Sequence, residues 1–162
     1  MKGVFLDDIK TPKDFPSSID GWVVIRDYDA FVTFVKDFYE ENKEFPPLFS
    51  LEHDLNEEHF EFYFNNKKGT KPFYENFKVK TGMHCLVWLF KYADSVGERL
   101  KTRIAIHSEN LACAYAMVRY ANGMNSDTVA FEMKWDYAPL DYNDEKVKKY
   151  IQLKTKASYG AY

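Results

Sequence analysis

Three short apolar runs in this chain end in side chains that can bind a metal or move a proton. Gly3-Val4-Phe5-Leu6 runs into Asp7 and Asp8, Leu48-Phe49-Ser50-Leu51 leads through Glu52 to His53 and Asp54, and Thr102-Arg103-Ile104-Ala105-Ile106 stops at His107 and Ser108. Asp7, Asp8 and Asp54 are hard oxygen donors of the kind that Mg2+ or Mn2+ takes while keeping some water. Gathered without a cation, three carboxylates repel one another and raise at least one pKa, which is a second reason to expect a metal among them. An Asp-Asp pair alone often does no more than solvate a turn; its repetition as His53-Asp54 at another strand end is what suggests a site. His53 and His107 titrate near neutrality unless perturbed, so either can serve as general acid or base in phosphoryl chemistry.

His107-Ser108-Glu109-Asn110 stands at a strand-to-helix junction, where free backbone N–H groups and the helix dipole favour an anion such as phosphate. The plainer alternative makes Ser108 or Asn110 a helix N-cap and His107 a buried, hydrogen-bonded imidazole. His59 and His84 read as packing or surface residues. The chain has no Walker-type glycine loop, nucleophile elbow, Cys-x-x-Cys pair or His-Glu-x-x-His helix, which argues against several common enzyme classes.

The elements that must position these residues alternate strand and helix. The pattern predicts strands at residues 3–6, 22–26, 48–55 with His53 and Asp54 at the far end, 102–106 and 129–135. It predicts helices after Asp27, with Phe31, Phe34, Val35 and Phe38 on one face; from Thr81-Gly82, with Leu86, Leu89, Phe90 and Ala93; and after Asn110, with Ala114, Met117, Val118 and Ala121. Residues 11–21 read as a loop. Residues 57–80 mix Phe60, Phe62, Tyr63, Phe64, Phe73, Tyr74 and Phe77 with polar residues and keep no clean period, so they read as an aromatic-rich insertion, a flap or small hairpin able to stack on a base or simply pack. The tail from about residue 136 to 162 is polar and lysine-rich, predicting a short helix or a frayed end. Alternation of this kind implies an α/β domain with a mostly parallel sheet and ligands at the carboxyl ends of its strands.

At 162 residues the chain is the size of one domain, and no apolar run approaches the roughly 20 residues of a membrane span. Paired aspartates follow Leu6 before a signal-length apolar stretch develops, so export by a standard signal is not expected, and a cytoplasmic protein (host cytoplasm for a viral one) is. With only two cysteines, Cys85 and Cys113, a disulfide framework has little to rest on. A net charge of −3 gives no global attraction for duplex DNA.

Taken together, Leu6-Asp7-Asp8-Ile9-Lys10-Thr11-Pro12, Trp22-Val23-Val24-Ile25-Arg26, Ser50-Leu51-Glu52-His53-Asp54-Leu55, Thr81-Gly82 and Ile106-His107-Ser108-Glu109-Asn110 resemble, in order, the motifs of the cyclic-phosphate-processing receiver-like domain, common in phages and bacteria. The resemblance spans residues 3 to about 122. It implies a degenerate response-regulator receiver fold, a three-layer sandwich. Asp7 and Asp8 then match the metal-holding pair and Asp54 the receiver phosphoacceptor, while Lys10, Ser108 and Asn110 stand on the substrate side. The chain departs from the pattern at Lys10 (usually Arg), Glu52 (Asp), Leu111 (Pro) and in its long 57–80 segment; Lys134 is placed by position alone for the receiver lysine.

Two functions follow from this resemblance. The first is a metal-dependent phosphoesterase or phosphotransferase that processes a cyclic phosphate on RNA or a cyclic nucleotide, with Asp54 as ligand or nucleophile and His53 or His107 carrying the proton. The second is a non-catalytic, phage-type module that sequesters a cyclic nucleotide or docks on a host defence protein, with a homodimer as a further arrangement.

Overall fold

The computed structural model describes residues 3–13, 21–124 and 126–159, so the middle of the expected 11–21 loop and the last three residues lie outside the described residues. Five strands form one parallel sheet: β1 (Val4–Leu6), β2 (Val23–Ile25), β3 (Leu48–Leu51), β4 (Arg103–Ile106) and β5 (Val129–Glu132), in the order β2-β1-β3-β4-β5. This is the receiver-like, flavodoxin-type order, in which the chain reverses its winding direction between β1 and β3. Among the described residues five α-helices accompany it: α1 (Tyr28–Asn42), α2 (Glu57–Asn65), α3 (Gly82–Ser95), α4 (Leu111–Gly123) and α5 (Glu145–Tyr159). None of the described helices is long and apolar enough to cross a membrane.

Strand alternation divides the side chains between the two faces of the sheet. Val4, Leu6, Phe49, Leu51, Ile104 and Ile106 enter the main core with Phe31 and Val35 of α1, Leu86 and Leu89 of α3, and Ala114 and Met117 of α4. The alternate positions Phe5, Ser50 and Ala105 are equally buried. Aromatic rings cover Phe5: its ring centroid lies 5.9 Å from Trp22 and 6.3 Å from Tyr137, and Trp22 lies 5.3 Å from Trp135. The segment after β1 is tied to the segment after β5 by Lys13 N–H to Asp136 O (2.8 Å) and Ala138 N–H to Thr11 O (2.9 Å).

Local signals explain most helix boundaries. Asp27 Oδ1 accepts the Ala30 N–H and starts α1, and Asn110 Oδ1 accepts the Cys113 N–H in the first turn of α4. The 57–80 segment is not a hairpin: it contains α2, capped by Asn56 Oδ1 accepting from Glu58 N–H, followed by a 3-10 turn at Tyr74–Asn76. Strand β5 stops at Glu132, shorter than the apolar run through Trp135 predicts, because Trp135 turns to hydrogen-bond Ser50. The polar tail forms α5, whose buried Val147 and Tyr150 give it an anchor; Tyr150 meets Phe60 of α2 at 5.1 Å.

Gly82 is required by close approach. A Cβ there would lie 1.8 Å from the carbonyl oxygen of Glu52, while Gly82 N–H donates to His53 O at 2.8 Å. The Thr81-Gly82 start of α3 is thus clamped on the end of β3. Gly82→Ala is expected to cost about 1–3 kcal/mol or more in denaturant unfolding, because backbone must shift. Gly123→Ala, which meets nothing within 4 Å, is expected to stay within about 0.5 kcal/mol of wild type.

Candidate metal and phosphate pocket

The sheet register builds the site. Leu6 pairs with Leu51 and Leu51 with Ile106, so the next residue on each strand, Asp7, Glu52 and His107, stands in one row at the carboxyl edge. The ladder continues into that row through Glu52 N–H to Leu6 O (2.9 Å) and His107 N–H to Leu51 O (3.1 Å). All three side chains are buried, and one ligand atom from each lies within 4.8 Å of the others.

Asp7 Oδ1 accepts the N–H groups of Ile9 (2.8 Å) and Lys10 (2.6 Å), which fixes the turn after β1. Its Oδ2 lies 3.4 Å from His107 Nε2, and neither atom has a hydrogen-bond partner. Both oxygens of buried Asp8 are also without one. Buried polar atoms are normally satisfied, so these four atoms of Asp7, Asp8 and His107 could be satisfied by a cation held at the carboxyl edge of the sheet. Glu52 Oε1 accepts the N–H groups of His53 (2.9 Å) and Asp54 (3.3 Å). His107 stacks on Phe5 with centroids 4.3 Å apart, and its Nδ1 lies 2.7 Å from Ser50 Oγ, which accepts the Trp135 indole N–H at 2.6 Å.

The pocket is lined by Asp7, Asp8, Lys10, Glu52 and Asp54 on the sheet side and by Phe60, Tyr63, Phe64 and Tyr150 from α2 and α5. Its free volume is about 20 Å³, room for an ion or a water. Clefts of about 230 Å³ and 270 Å³ also reach Asp8, the first between α2 and α5, the second beside Arg26 and Pro139.

The electrostatics follow from burial. Burial, then the charge of Asp7, pushes the Asp8 carboxyl up to about 8. Glu52 is raised for the same two reasons, in the same order. Burial also opposes the Asp7 charge, but His107, Lys10 and the loop N–H groups outweigh it and hold Asp7 below its ordinary value. Burial opposes the charge on Lys10 as well, yet Glu52, Asp7 and Glu109 bring it up to about 12. Burial lowers His107 below the ordinary imidazole value, against the opposing pull of Asp7.

The structure sorts the residues read from sequence. Asp7, Asp8, Lys10 and Asp54 line the pocket. Glu52 rather than Asp54 completes the cluster with Asp7, because β3 ends at Leu51 and the register row falls one residue later. Asp54 Oδ1 is held by His53 Nδ1 at 2.6 Å, and His53 Nε2 faces the Tyr74 hydroxyl at 2.9 Å, so the His53 ring is directed at the insertion. Burial disfavours the His53 cation, but the hydrogen bond to Asp54 overrides it and brings the imidazole up to about 10. Asn110 caps α4, and Ser108 Oγ accepts the Asn110 N–H at 3.2 Å, the plainer of their two sequence readings. His59 accepts the Leu55 N–H and donates to Val79 O, and His84 accepts the Thr81 N–H. Exposed Lys134 does not line the pocket, where Lys10 supplies the cation.

Sequence reasoning assigned no role to Arg26, Glu109 or Tyr150. Arg26 donates to Asp7 O (2.8 Å), Lys10 O (2.6 Å) and Thr11 Oγ1 (2.9 Å), stapling the loop that aims the aspartates. Its place at the end of the strand next to β1 was the available signal. Glu109 Oε1 accepts from Tyr150 (2.7 Å), Lys154 (3.1 Å) and Lys10 (3.5 Å), joining α5 to the pocket rim.

A carboxyl raised on folding leaves the protein unaffected below its unfolded pKa and destabilises it as pH climbs from about 4 toward 8. In EDTA, Asp8→Asn is therefore expected to gain about 1–3 kcal/mol on wild type between pH 4.5 and pH 8, read by denaturant unfolding. A difference that does not change with pH would contradict this account of Asp8.

The fold agrees with comparison to known families. The model of the cyclic-phosphate processing receiver domain matches residues 2–123, from β1 through α4, leaving β5 and α5 beyond it. No curated protein and no solved structure gives a significant match. With three quarters of its length in that match, and with its parallel sheet and acidic strand ends in place, the chain belongs to the cyclic-phosphate processing receiver domain family.

Proposed function

We propose that the pocket is the active site of a divalent-metal-dependent phosphoesterase or phosphotransferase acting on a cyclic phosphate, at an RNA end or in a cyclic nucleotide. The observation that carries this reading is the row of Asp7, Glu52 and His107, with ligand atoms within 4.8 Å of one another and two of them unpartnered, beside Lys10. Asp7, Glu52 and His107 would hold the metal, with Asp8 at its margin. A bound divalent ion supplies Lewis-acid polarisation of a phosphoryl oxygen.

The remaining work falls to the chain's own groups. Lys10, largely withdrawn from solvent against Glu109, is placed to take a non-bridging phosphate oxygen, while Glu109 keeps Tyr150 and Lys154. Asp54, backed by His53 at Nδ1, is the pocket carboxylate placed to accept a proton from an attacking hydroxyl or water. Arg26 keeps the Asp7–Thr11 loop in register, and Phe60, Tyr63, Phe64 and Tyr150 line the inner pocket opposite the carboxylates. The inner volume fits an ion rather than a nucleotide, so the nucleoside would occupy one of the two clefts that meet at Asp8.

The test is turnover of 2′,3′-cyclic phosphate oligonucleotides and cyclic mononucleotides with Mn2+ or Mg2+, followed by mass spectrometry. Asp7→Asn is expected to lower kcat/KM about 100-fold or more and Lys10→Ala to raise KM about 10-fold. Stoichiometric retention of unaltered ligand would replace catalysis by sequestration, and neither cleavage nor binding would sink both.

A further inference from the structure

The donor set is unusual for a magnesium site. Beside two carboxylates it contains an imidazole nitrogen, His107 Nε2, buried and without a hydrogen-bond partner. Mg2+ is hard, prefers oxygen and keeps several waters in a near-octahedral shell, whereas imidazole suits Zn2+, Fe2+ and their neighbours.

The ring is held as a ligand would need. Phe5 stacks on one side at 4.3 Å, fixing its plane. Ligation through Nε2 puts the imidazole proton on Nδ1, where it requires an acceptor. Ser50 Oγ is at 2.7 Å from that atom, and a hydroxyl oxygen has two lone pairs, enough for both Nδ1–H and the Trp135 indole N–H. Ser50 is fully buried, and Trp135 comes from beyond the segment that the family model matches.

We propose that this site selects a transition ion of the Mn2+ to Zn2+ series over Mg2+, with His107 as the discriminating ligand and Ser50, anchored by Trp135, as its positioning residue. The proposal rests on the metal-dependent reading above and adds the class of ion. Asp8 and Asp54 line the same pocket, but their atoms fall outside the cluster within 4.8 Å, so they do not by themselves restore an all-oxygen site.

The test uses the full-length protein stripped with EDTA. Calorimetric titration is expected to show one Mn2+ or Zn2+ per chain, bound about 100-fold or more tightly than Mg2+. His107→Gln is expected to remove that preference, and Ser50→Ala to weaken Zn2+ about 10-fold or more. Pulsed EPR of the wild-type Mn2+ complex, which needs no variant to fold, is expected to show nitrogen coupling from the imidazole. Equal affinity for Mg2+ and Zn2+, or Mn2+ bound without nitrogen coupling, would overturn the ion class while leaving a metal-dependent site. Failure of all three ions to bind would overturn the metal-dependent reading itself.

Discussion

The structure turns on the parallel register of β1, β3 and β4. That register carries Asp7, Glu52 and His107 out of the sheet side by side into a buried corner. Backbone hydrogen bonds fix the spacing, so the carboxylates cannot separate to relieve their repulsion. Burial then makes their charges expensive, which is why Asp8 and Glu52 resist ionisation while Asp7, with two N–H donors and Lys10 nearby, does not. A cation placed among them satisfies the orphaned atoms and the charge at once.

Much of the surrounding structure serves to hold that corner. Arg26 ties the turn after β1 to β2, and Gly82 lets α3 close on the carbonyl of Glu52. Ser50, Trp135 and Phe5 fix His107 on the sheet face opposite the main core. Pro12 forms an antiparallel bridge with Tyr137, and aromatic rings cover Phe5 on that face of the sheet. The pair α2 and α5 then roofs the pocket, with Tyr150 between Phe60 and Glu109.

The parts legible in sequence were those with a local cause. The apolar runs of β1, β3 and β4, the Asp27 and Asn110 caps and the faces of α1, α3 and α4 are all set by neighbours in the chain. Glu52 was passed over because its role depends on pairing between strands: only the register shows that it, and not Asp54, stands beside Asp7. Helix α2 was hidden because Phe60, Phe62 and Phe64 alternate like a strand, whereas the structure buries the adjacent His59 and Phe60. Helix α5 was obscured by its lysines, since its anchors are few and become visible only against α2.

The central claim is that Asp7, Glu52 and His107 form a single ion site. The most direct measurement is the anomalous scattering of a crystal grown with Mn2+. The account predicts one peak at bonding distance from Asp7 Oδ2, a Glu52 carboxylate oxygen and His107 Nε2. A peak bound by Asp8 and Asp54 with His107 still on Asp7, or no peak in the pocket, would contradict it.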